Sequence, residues 1–180
     1  MKGALLAAGL AGAAMLAACG TSDDTSSTES AASGCFLAFN TQYSDFRTWT
    51  SYSFDGPGEG DAGVHVAGPR IEYIKAAPPH GSATFPVGTL IVKEVGIGDP
   101  ANHHIFAMAK RGCDFNASGA KGWEWMEIQE ISGGASIIWR GVGPPAGEVY
   151  GGDPTGCNSC HVACSDNDSV CSSHVRLTAF

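Results

Sequence analysis

Residues 157–161 read Cys-Asn-Ser-Cys-His, and this pentapeptide constrains the fold more than any other stretch. C-x-x-C-H is the spacing of a c-type haem attachment site. The thiols of Cys157 and Cys160 add to the two vinyl groups of one porphyrin, and His161 supplies the proximal ligand to its iron. One helical turn presents both sulfurs and the imidazole on the same side. The rest of the chain must then build a wall against the group. Because Cys164 and Cys171 follow closely, a non-haem disulfide or zinc-binding module, with the C-x-x-C pair as half its ligand set, is the remote alternative.

The other cysteines bear on the compartment. Residues 1–18 carry one Lys and then an apolar run of Ala, Leu and Gly, ending in Leu16-Ala17-Ala18-Cys19. The run is too short for a confident membrane span. It resembles a bacterial lipoprotein signal with Cys19 at the cleavage point, so we expect residues 1–18 to be removed and Cys19 to be lipidated. The protein would then be exported and held at a membrane, facing the periplasm or the cell exterior. Residues 20–34 contain no large apolar side chain and read, with Cys19, as a disordered tether, leaving 35–180 as one domain. Of seven cysteines, one goes to lipid and two to haem. The remaining four suit two disulfides in an oxidising compartment. Three pairings are open to them. The short loop favours Cys164–Cys171, which leaves Cys35–Cys113. A four-cysteine metal site would need reduced thiolates there. The formal net charge of -8 argues against nucleic acid as a partner.

Between tether and haem motif the hydrophobic period is mostly two. Ser44-Asp45 offers a helix N-cap ahead of Phe46 and Trp49, predicting a short helix that ends near residue 53. Residues 54–69 are rich in Gly, Pro and Asp and read as a loop. Strands are then predicted from residue 70 and over 89–95, 104–111, 123–131 and 135–140. Short polar turns without crossover helices imply an antiparallel sheet. The fold class is α+β: about five antiparallel strands, short flanking helices, and a C-terminal helix carrying the haem site.

Ligation narrows the function. Small helical electron carriers place a Met ligand downstream of the motif. Here no Met follows it, and Met108 and Met126 fall in strands. His103 and His104 are further sixth-ligand candidates, although strand-edge hydrogen bonding is the simpler role for each. An electron-transfer cytochrome is therefore the alternative, and an iron with an open distal position the leading reading.

Four blocks carry a family resemblance: Phe85-Pro86-Val87-Gly88-Thr89-Leu90-Ile91-Val92-Lys93-Glu94; Ala107-Met108-Ala109-Lys110; Gly122-Trp123-Glu124-Trp125; and the haem motif followed by Asp168-Ser169-Val170. In this order they resemble the cytochrome P-460 family, which includes the cytochromes c′-β. The match runs from about residue 70 to the end. The resemblance implies a sheet domain with one covalent haem c, commonly a homodimer, that binds or oxidises small nitrogen species (nitric oxide, hydroxylamine), with a redox partner if it turns over. It puts Lys93 at the position of a lysine that crosslinks to the porphyrin, and Arg70 at a distal arginine. Phe106 stands where the hydroxylamine-oxidising members have a distal carboxylate. That exchange favours nitric oxide binding over hydroxylamine or nitric oxide oxidoreductase activity, because a phenyl ring accepts no proton. If the chain is an enzyme, Lys93 and Glu94 are the catalytic candidates, with Asp99 or a histidine as substitute bases.

Overall fold

The structure, a computed structural model, describes residues 34–54, 69–148 and 156–180. The signal segment, Cys19 and the tether before Gly34 lie outside them. Six strands form one antiparallel sheet: β1 (Thr50–Phe54), β2 (Arg70–Ile74), β3 (Leu90–Val95), β4 (His104–Lys110), β5 (Trp123–Ile131) and β6 (Gly134–Gly141). Each pairs with the next in sequence order, the meander that short polar turns dictate. One helix, α1 (Gly156–His161), follows the sheet.

The sheet thus has six strands where the sequence predicts about five, and the extra one corrects the expected helix over 44–53. That segment holds a single 3-10 turn, Phe46–Thr48, before β1 begins, and another such turn, Asn40–Gln42, precedes it. The proposed cap does not form. Ser44 Oγ donates to the Thr41 carbonyl, and Asp45 accepts from Trp49 Nε1 at 3.2 Å. One uncapped turn is too short to hold a helix in water. The Thr-Ser-Tyr-Ser-Phe run that follows gains a full ladder against β2, from Thr50↔Ile74 to Phe54↔Arg70.

Both faces of the sheet are covered. On the first face Leu90, Val92, Ile105, Ala107, Met126 and Ile128 pack against Tyr43, Phe46 and Trp49 of the N-terminal segment. On the second, Ile74, Ile91, Met108, Trp123 and Trp125 pack against Val170, Val175 and Leu177 of the C-terminal segment. Burial on both sides explains why β3 opens on the unbroken apolar run Leu-Ile-Val rather than on alternation.

Two disulfides fasten these covers. Cys35–Cys113 ties the start of the N-terminal cover to the β4–β5 connection, and Cys164–Cys171 closes a loop within the C-terminal cover. Lys110 lies on the second face, where its ammonium donates to Asp168 at 2.7 Å and to the Lys121 carbonyl at 3.0 Å. Trp123 Nε1 donates to the Asp168 backbone carbonyl at 2.6 Å, and Asp168 Oδ2 accepts from the Phe85 amide at 2.9 Å. Ser172 Oγ reaches Glu72 in β2. These contacts fix the C-terminal segment on the face that α1 also meets.

Candidate functional site

The helix α1 coincides with the C-x-x-C-H pentapeptide plus one glycine. It is held by the first variable position of that motif. Asn158 Oδ1 accepts from Asn116 Nδ2 at 2.6 Å, from the Ala120 amide at 3.1 Å and from Trp125 Nε1 at 3.3 Å, while its Nδ2 donates to Asn116 Oδ1 at 2.9 Å. One side chain thus bolts the helix to β5 and to the loop before it. Chemistry at Cys157, Cys160 and His161 sets no demand on residue 158, so the motif gave no signal for this role.

Cys157 and Cys160 are free thiols, and all four other described cysteines are in disulfides. That pairing takes those four from any thiolate cluster. Among the described residues no three His, Cys, Asp or Glu side chains gather to hold a metal ion by themselves. Cys157 packs against the second-face core, and burial pushes its thiol up to about 12.

His161 lies with its ring centroid 4.3 Å from that of Trp125. Its Nδ1 is 2.8 Å from the Ser169 carbonyl oxygen. A carbonyl only accepts, so Nδ1 carries the proton and Nε2 keeps its lone pair. Desolvation by burial lowers the imidazole pKa to about 4; the Ser169 carbonyl opposes this and the Lys93 charge adds to it. The side chain is therefore neutral at pH 7, the form that ligates a metal, and its other nitrogen is oriented by the backbone as metal-bound histidines require. The residues present fit a covalent haem c: two free thiols and one oriented neutral imidazole on a single helical turn.

Strand register places the remaining candidates. Ile91, Met108 and Trp125 form one transverse row on the second face, beneath His161. The next row runs Tyr52, Glu72, Lys93, Phe106, Glu127, Trp139 across all six strands. The row beyond it holds Arg70, Val95 and His104. Lys93 and Phe106 are thus cross-strand neighbours, both half-buried, on the face where His161 lies. Arg70 is buried, with its guanidinium 4.1 Å from the Phe54 ring centroid.

Glu94 is not with them. It points to the first face, where Arg47 Nη2 donates to it at 2.6 Å, His103 Nε2 lies 2.8 Å away and Tyr73 donates at 3.1 Å. Burial raises its pKa, but these hydrogen bonds outweigh burial and hold the carboxyl below its usual range. Asp99 sits in the β3–β4 turn, accepting from the Ala101 amide and Asn102. Met126 also faces the first side, where Tyr43 donates to its sulfur at 3.5 Å. Of the two histidines, only His104 shares the second face.

Compared with family models, curated proteins and solved structures, the chain matches none.

Proposed function

We propose that this chain is an exported mono-haem c-type cytochrome of the cytochrome P-460 kind, with an open distal iron site for small nitrogen species. The observation that carries the reading is the pair formed by His161 and Ser169. A backbone carbonyl fixes the imidazole tautomer and leaves Nε2 available, one turn away from two unpaired cysteines. Cys157 and Cys160 hold the porphyrin edge through thioethers, and His161 supplies the axial nitrogen. When bound, the haem supplies an iron that takes up a small ligand at its remaining axial position.

This chain's own residues shape what reaches that position. Phe106 presents a hydrocarbon surface that discourages water and anions and tolerates a neutral diatomic. Lys93, its cross-strand neighbour, sits at the crosslinking position, and its charge already acts on His161. Nitric oxide binding is the first reading and oxidation of hydroxylamine the second. The electron-transfer alternative needs a strong sixth ligand. Met126 faces the opposite side of the sheet and His103 is engaged by Glu94, so Met108 and His104, on the same face as His161, are the candidates it would need. Export, with lipidation at Cys19, supplies the oxidising compartment in which the two disulfides persist.

The test is the optical spectrum of purified holoprotein. We expect a high-spin ferric iron and, on reduction, a five-coordinate spectrum that changes on adding nitric oxide. A low-spin, bis-ligated ferric spectrum at neutral pH contradicts the open site and supports electron transfer. Peptide mapping bears on the crosslink: haem joined to the Lys93 peptide as well as to the Cys157 peptide supports it, and a free Lys93 rejects it.

A further inference from the structure

Glu127 and His104 form a hydrogen-bonded pair on the haem-facing side of the sheet that the attachment chemistry does not use. Glu127 Oε1 lies 2.8 Å from His104 Nδ1, and Glu127 Oε2 accepts from Trp139 Nε1 at 3.0 Å. His104 stacks on Phe106, with centroids 5.6 Å apart and planes 10° from parallel. Both carboxylate oxygens therefore accept, which puts a proton on Nδ1 of His104, so in the neutral ring Nε2 is the acceptor. The Glu127 side chain is 13% exposed and that of His104 36%, so the carboxylate is sheltered while the imidazole can still meet a small molecule.

The rows of the sheet say which side this pair serves. His161 lies over the row of Met108 and Trp125. Lys93, Phe106 and Glu127 occupy the next row, and His104 the one after. His104 is thus separated from His161 by the Lys93–Phe106 row, on the same face.

We propose that His104, oriented by Glu127, is the proton acceptor for a protic nitrogen ligand bound on the side of the site away from His161. The inference rests on the function proposed above and deepens it. Phe106 offers no acceptor, and the pair on the adjoining strand positions supplies one. Nε2 takes a hydrogen bond, or the proton itself, from an N–H or O–H of the ligand. The resulting imidazolium is stabilised by the Glu127 carboxylate, whose place is fixed by the Trp139 indole. An aprotic ligand such as nitric oxide has no proton to offer and gains nothing from this arrangement. The pair therefore selects by ligand chemistry, whereas Phe106 selects by polarity.

The test compares two ligands on one holoprotein. Hydroxylamine binding to the ferric form and nitric oxide binding to the ferrous form are titrated optically in the wild type, His104→Leu and Glu127→Gln. We expect His104→Leu to weaken hydroxylamine at least about tenfold, the loss of one good hydrogen bond, with nitric oxide changed less than about twofold. Glu127→Gln, nearly isosteric, keeps the fold if His104→Leu does not, and should show the same selective loss at smaller size. Parallel losses for both ligands, or none for either, overturn the inference while leaving the haem reading intact. Matured protein without haem c overturns both.

Discussion

Glu94 illustrates how strand alternation parts two candidates that are adjacent in sequence. Its neighbour Lys93 points to the face on which His161 lies, and alternation along β3 sends Glu94 the other way, into Arg47, His103 and Tyr73. Its folded pKa is depressed, so its contribution to stability is present above the usual carboxylate pKa and is lost as pH falls through the folded value. Urea titrations at pH 7 and pH 3 should therefore find wild type more stable than Glu94→Gln at the higher pH, with the gap closing at the lower. A gap independent of pH would contradict this. At Phe106 the expectation concerns chemistry. Phe106→Glu places a carboxylate beside Lys93 and should raise hydroxylamine oxidation if proton acceptance at position 106 limits turnover; an unchanged rate counts against that account.

The elements divide by how openly the sequence announces them. Strands β2 to β6 follow from β-branched and aromatic runs bounded by turn residues such as Gly96-Ile97-Gly98-Asp99-Pro100 and Gly133-Gly134. The first strand does not. Three of the five residues of Thr50–Phe54 are Ser or Thr, and its order comes from the β2 ladder rather than from its own pattern. Asn158 was equally silent, because its partners Asn116, Ala120 and Trp125 come together only once β5 is formed. Docking of α1 depends on it. Asn158→Leu should cost about 1–3 kcal/mol in chemical denaturation, since several donors lose their acceptor. Asn158→Asp, which keeps the acceptor oxygen, should cost less. If the two cost the same, the acceptor is not what matters. The Lys110–Asp168 pair makes a similar demand on the C-terminal cover, with side chains 10% and 13% exposed. Lys110→Met leaves Asp168 charged and sheltered and should destabilise by about 3 kcal/mol. Adding Asp168→Asn should recover part of that loss. No recovery would mean that the pair acts through packing.

At the scale of the whole molecule, one sheet separates two covers, and each has its own disulfide. The Cys35–Cys113 bridge closes 78 residues of sequence, a loop whose closure limits the unfolded chain by about 4 kcal/mol. Cys35→Ser with Cys113→Ser should lower stability by roughly that amount, read by urea denaturation, and leave any haem spectrum unchanged. A changed spectrum would mean that the first face communicates with the second. The candidate site on the second face offers a sequence signal where chemistry fixes residue type, as at Cys157, Cys160 and His161. It was hidden where geometry alone recruits a residue, as at Ser169, whose carbonyl orients His161, and Glu127, which meets His104 across β4 and β5. The account turns on whether those thiols hold a porphyrin. Intact and tryptic masses of protein matured in a host competent for cytochrome c assembly decide it. One haem per chain on the peptide spanning Cys157 and Cys160 is the predicted result, and an unmodified mass with Cys157 and Cys160 free or joined to each other would contradict it.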